Sequence, residues 1–129
     1  MMPALLATPV LLVEQDGYNA TAALDVHADE PVLSGHYPGF AVLPGVCVID
    51  TVRRAAQLCR PADAQHGVFD TVESARFLEP VFPGDRMRIT LRWEPGREGD
   101  GWRCTGAVTV EDGKVATIRL RYRVSEVCQ

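Results

Sequence analysis

Residues 86–93, RMRITLRW, alternate without a break: Met87, Ile89, Leu91 and Trp93 fall on one side, Arg86, Arg88, Thr90 and Arg92 on the other. Residues 118–124 repeat the pattern, with Ile118, Leu120, Tyr122 and Val124 set against Arg119, Arg121 and Arg123. Successive side chains of a strand point to opposite faces, so one apolar set and one cationic set at period two specify strands packed on one side and wet on the other. Such strands need an apolar layer to cover them, and the chain offers one. Val46, Ile49, Val52, Ala56 and Cys59 recur at three and four residues, one stripe of a helix that Pro61 must end. The expected class is α+β: a half-buried antiparallel sheet with one long central helix against its apolar face.

The remaining segments supply the other strands. LLVEQ and YNATAALDV flank Asp16-Gly17 as a hairpin, the polar HADE at 27–30 reads as loop, and VESARFLEPVF is strand-like up to Pro80. PGD at 83–85 is a turn, EPGREGDG at 94–101 a hairpin loop, and Glu111-Asp112-Gly113 joins the last two strands, 102–110 and 114–124. At 129 residues the chain is read as a single domain, 1–129, too small for a second core.

Composition excludes several functions. Apolar residues make up 47% and charged ones 23%, the balance of a soluble globular domain. The N-terminal MMPALLATPVLLVEQ lacks a basic region and is broken by Pro3 and Pro9, so no membrane segment or signal peptide is expected and the cytoplasm is the default. A net charge of −4 argues against nucleic acid. Cys47, Cys59, Cys104 and Cys128 are scattered, with no CxxC and no spacing that suggests a metal.

The chemistry is concentrated in residues 35–50, GHYPGFAVLPGVCVID. Two Pro-Gly pairs leave no room for regular structure before the helix. Its first turn, opening at Gly45, presents amide hydrogens without intrahelical acceptors, suited to a carbonyl oxygen gaining negative charge. A carbonyl so polarised eases removal of a proton from the adjacent carbon, a task for His36. Asp50, one turn into the helix on the same face as Val46, can exchange a proton with a leaving hydroxyl. Each has a plainer alternative: a loop histidine is more often structural, and Arg53 and Arg54, three and four residues on, can hold Asp50 as an ion pair. Val42, Leu43 and Val46 can line an acyl tunnel or simply pack the core; Phe40 can gate a tunnel, seal an interface or pack. For Cys47 no positioned base is visible, which argues against thiol chemistry.

The stretch HYPGFAVLPGVCVID resembles the signature of the hot-dog-fold 3-hydroxyacyl-(acyl carrier protein) dehydratases of fatty acid and polyketide synthesis: His, an aromatic, Pro-Gly, a second Pro-Gly, then an acid in the central helix. GYNATAALDVHADEPVLSGHYPG and ARFLEPVFPGD are similar to the segments that flank it, so the likeness covers most of the chain. It implies a hot-dog fold, with His36 taking the proton from C2 of an acyl thioester, Asp50 handling the departing C3 hydroxyl, and the thioester oxygen against the Gly45 amide. It also implies a dimer in which the histidine of one subunit faces the acid of the other, no cofactor beyond the phosphopantetheine that carries the substrate, and acyl carrier protein as partner. Ala41 and Arg54 depart from the pattern, where proline and glutamine are usual.

Three rival functions stay open: a hot-dog acyl thioesterase, a partner subunit of a heterodimeric dehydratase rather than a homodimer, and a simple acyl-binding or scaffold protein with no turnover. The arginines of the polar strand faces are either solvated charges or, in Arg76, Arg86 and Arg88, a docking site for the acidic carrier.

Overall fold

The computed structural model describes residues 4–34, 42–96 and 101–124. Six strands form one antiparallel sheet: β1 (Leu11–Asp16), β2 (Asn19–Asp25), β3 (Gly67–Phe77), β4 (Arg86–Pro95), β5 (Trp102–Val110) and β6 (Gly113–Val124). Their spatial order is β1-β2-β4-β5-β6-β3, so β1 and β3 are the two edges. Among the described residues two α-helices interrupt the strands, α1 (Pro31–Ser34) and α2 (Gly45–Leu58), with a 3-10 turn at Ala62–Ala64.

The alternation in β4 is realised residue by residue: Met87, Ile89, Leu91 and Trp93 are buried, while Arg86, Arg88, Thr90 and Arg92 are exposed. β6 does the same with Ile118, Leu120 and Tyr122 inward; Val124, at the strand's end, is exposed. α2 lies across the inner face, packing on β1, β4, β5 and β6. It comes close because β5 carries Gly106 beneath it: a Cβ built there would stand 2.5 Å from Cγ1 of Val52. The far end of α2 is closed by Arg60, whose guanidinium lies over the rings of Trp93 and Tyr122 and donates to the carbonyls of Ala64 and Gly67.

The buried side of α2 follows the expected stripe at Val52, Ala56 and Cys59 but not at its start. Cys47, Val48, Thr51, Val52, Ala55 and Ala56 face the core, whereas Val46 is 58% exposed and Ile49 half-buried. The helix is apolar on two sides, and the sheet takes only one.

β3 shows the same surplus. It pairs with β6 along one edge, and Phe69, Val72 and Phe77 oppose the inward-facing Tyr122, Leu120 and Ala116. These β3 residues extend the apolar inner face past the region α2 covers, so Phe69 and Phe77 stay exposed.

Candidate active site

Asp50 sits in the second turn of α2 and is 7% exposed. Oδ1 accepts from Nη2 of Arg53 at 2.8 Å, the expected ion pair, and Oδ2 accepts from the backbone amide of Leu5 at 3.1 Å. Arg54 goes elsewhere, donating to the carbonyls of Leu6 and Thr8. The carboxylate lines a cleft of about 360 Å³ whose other walls are Leu5, Val46, Ile49, Arg53, Phe69 and Val72. Thus the outward side of α2 and the uncovered part of β3 enclose an apolar space with one acid in its wall.

A second cleft, about 400 Å³, lies at the start of α2 between Leu43, Gly45 and Val48 on one side and Phe77, Leu78, Pro80 and Val81 on the other. Pro44 precedes the helix without a capping side chain, and Cys47 N–H already donates to the Pro44 carbonyl at 2.9 Å. The amides of Gly45 and Val46 have no acceptor among the described residues, as the first turn of a helix requires unless something else supplies one. The Phe77 ring lies over Gly45, 3.1 Å from where a Cβ would stand, so the bare glycine permits the close approach.

His36 and Phe40 lie outside the described residues, as does Ala41. Of the expected substrate-contacting residues, Leu43 is buried at the edge of the Gly45 cleft, Val46 lines the Asp50 cleft, and Val42 is half-buried. Val46 and Asp50 do share a face. Cys47 is fully buried; burial first, then the charges of Asp50 and Glu30, push its thiol up, the opposite of an activated nucleophile. Among the described residues no three His, Cys, Asp or Glu side chains gather to hold a metal ion. No described helix is long and apolar enough to cross a membrane.

The three arginines expected to meet a carrier are divided. Arg86 and Arg88 share the outer face of β4, but Arg86 pairs with Asp25 at 2.7 Å. Arg76, opposite Thr117, stands on β3, three strands away in the sheet order, a separation of about 14 Å at the usual strand spacing.

Sequence reasoning missed Glu30. It is a polar residue in an expected loop, yet it is 2% exposed and accepts hydrogen bonds from Ala7 N, Thr8 N and the Thr8 hydroxyl. Burial alone would raise its carboxyl; the bonds from Thr8 and Ala7 outweigh that and hold it below the usual range. Its partners lie 22 and 23 residues upstream, so no local signal could have found it.

Comparison with known proteins agrees with this architecture. The profile of the ApeI-like family, described as ApeI dehydratase, matches residues 12–117. A 3-hydroxyacyl-[acyl-carrier-protein] dehydratase FabZ from Pelotomaculum thermopropionicum is 35% identical over 126 residues, 95% of this chain and 89% of that protein. The FabZ of Polynucleobacter asymbioticus is 40% identical over 84 residues, 61% of this chain and 56% of that one. Among solved structures, the dehydratase heterocomplex ApeI:P from Xenorhabdus doucetiae superposes with a TM-score of 0.71 at 20% identity, covering 95% of this chain and 99% of that one. The PaaI protein of E. coli gives 0.72 at 15% identity, over 90% and 79%. At such identities the two structures speak for the hot-dog fold alone.

Proposed function

The chain belongs to the ApeI-like dehydratase family, alongside the FabZ dehydratases, and from that premise we propose how it removes water from a 3-hydroxyacyl thioester carried on acyl carrier protein. The observation that carries the reading is Asp50: an acid in the wall of an apolar cleft, on the helix whose first two amides have no acceptor among the described residues. The thioester oxygen rests against the Gly45 amide, where the helix terminus favours the charge that develops as the C2 proton leaves. His36 takes that proton, the C2 electron pair forms the double bond, and the C3–O bond breaks. Asp50, entering as the carboxylic acid, gives its proton to the departing oxygen, which leaves as water, and the proton held by His36 returns to Asp50 before the next turnover. The acyl chain lies along Val46, with Val42 and Leu43 toward the thioester, and Phe40 is assigned as a further substrate contact. No cofactor takes part beyond the phosphopantetheine on which the substrate arrives, and the work is cytoplasmic.

The assembly is proposed to be a dimer. The free edge of β3, the exposed Phe69 and Phe77, and Val46 on the second apolar side of α2 together form one unpartnered face, and the Asp50 cleft opens within it. A second hot-dog chain covering this face closes the cleft and brings in its own His36. Self-pairing is the simplest arrangement. The similarity to a heterocomplex makes pairing with a different hot-dog chain the alternative, distinguished by whether the purified chain alone is dimeric and active. The carrier docks through Arg88 and Arg76, with Arg86 held by Asp25.

The test is incubation of the purified chain with a short 3-hydroxyacyl thioester of pantetheine. Appearance of the 2-enoyl thioester, lighter by one water, supports dehydration. Release of free thiol with no enoyl product identifies a thioesterase instead.

A further inference from the structure

Residues 4–10, ahead of β1, have no regular secondary structure, yet they are tied down from two sides. Glu30, in the loop after β2, accepts from Ala7 N at 2.6 Å, Thr8 N at 2.8 Å and the Thr8 hydroxyl at 2.5 Å. Arg54, on α2, donates to the carbonyls of Thr8 at 2.9 Å and Leu6 at 3.4 Å. Between them the Leu6 side chain is buried in the core. Burying a carboxylate is costly unless its oxygens are satisfied, so Glu30 keeps its place only while residues 7 and 8 keep theirs. The strap so fixed delivers the Leu5 amide to Oδ2 of Asp50 at 3.1 Å.

That one contact matters because of how the carboxylate is otherwise held. Arg53 reaches only Oδ1, through both Nε and Nη2. A terminal carboxylate torsion is broad and roughly two-fold, so one held oxygen leaves the plane free to swing. A donor on the second oxygen fixes it. We propose that residues 5–8 are a positioning strap for Asp50, with Glu30 and Arg54 as its clamp. The proposal rests on the reading of Asp50 as the group that meets the leaving hydroxyl. Glu30, Arg54 and the Leu5 amide act through Asp50 and touch no reacting atom.

The experiment compares Leu5→Pro with Leu5→Ala, steady-state kinetics being measured on the full chain with a 3-hydroxyacyl pantetheine thioester. Both changes remove the leucine side chain from the cleft wall; only proline removes the N–H. Misplacing a reacting group by about 1 Å can cost up to about 10²-fold, so loss of one of two holding contacts should lower kcat by about tenfold relative to Leu5→Ala. KM should differ by less than about twofold, since the lost interaction serves the reacting group and not ground-state binding. In an Asp50→Asn background, followed under single turnover, the proline and alanine forms should be equal. Arg54→Ala should show the same kcat loss, partly recovered in Arg54→Lys, and it serves as the comparison should Leu5→Pro fail to fold.

Equal kcat for the proline and alanine forms, with Arg54→Ala also unimpaired, overturns the strap proposal while leaving Asp50 in its role. A ratio that persists in the Asp50→Asn background also overturns it, because the strap then acts by another route. Full activity in Asp50→Asn alone removes the reading beneath it.

Discussion

Gly106→Ala tests whether the seat of α2 is as tight as the geometry states. The added Cβ would stand 2.5 Å from Cγ1 of Val52, well inside the roughly 3.5–4.0 Å at which carbon atoms rest. Val52 is fully buried in mid-helix and Gly106 is paired on both sides, to Leu91 and Ile118, so neither can yield alone. Overpacking typically costs 1–3 kcal/mol, and so confined a site belongs in the upper part, about 2–3 kcal/mol. With an unfolding entropy near 2.1 cal/mol/K per residue, 129 residues give about 0.27 kcal/mol/K, hence a fall in Tm of about 7–11 °C. Val52→Ala removes the offending methyl groups and by itself costs about 2–3 kcal/mol in lost burial and cavity. In the double variant the clash is gone, so the sum should fall short of additivity by about 1–2 kcal/mol. Thermal and denaturant melts of the four proteins at one concentration decide it. A Gly106→Ala protein within about 0.5 kcal/mol of the parent, or strict additivity, would refute the close seating.

Glu30→Gln should destabilise the protein at neutral pH, and by less as the solution is acidified. The folded carboxyl lies below its unfolded value of about 4.3, so its contribution is full above that value and is lost as pH falls through the folded one; a parent-to-variant gap constant from pH 7 to pH 3 would contradict the bonds to residues 7 and 8. Val46→Asp places a charge on the second apolar side of α2 and should yield a folded monomer by sedimentation, its turnover lost with dimerisation; a dimer of parental affinity would show that this face is not the interface. Arg88→Glu should raise KM for carrier-bound substrate more than Arg86→Glu, because Arg86 already faces Asp25, and should spare a pantetheine thioester; equal losses on both substrates would exclude carrier docking there.

What could be read from the sequence follows from which signals are local. β4 and β6 were legible because each is packed on one side only, and α2 because prolines bracket it and its interior is free of Gly and Pro. The orientation of α2 was legible only in its second half, where Val52, Ala56 and Cys59 are buried as expected; at its start Val46/Ile49 and Cys47/Val48 are both apolar pairs, and spacing alone cannot say which the sheet takes. β3 begins at Gly67, five residues before the strand-like run at Val72, because an edge strand whose register shifts at Phe69/Thr71 and again at Val72/Ser74 gives no clean period. At the candidate site, the ion pair of Asp50 with Arg53 and the common face of Val46 and Asp50 were visible as helical spacing. The Leu5 contact spans 45 residues and the Glu30 contacts more than 20, so they depend on tertiary structure that no local pattern encodes.

The most direct measurement is turnover of a 3-hydroxyacyl thioester to the 2-enoyl product by the parent and by Asp50→Asn, a change that keeps the shape of the side chain and removes its proton chemistry. The account predicts a loss of about 10² to 10⁴-fold, the range for a positioned acid or base, with melting temperature and dimerisation little altered. Turnover within about threefold of the parent would contradict it, leaving Asp50 as an ion-pair partner of Arg53 and the departing hydroxyl without the group assigned to it.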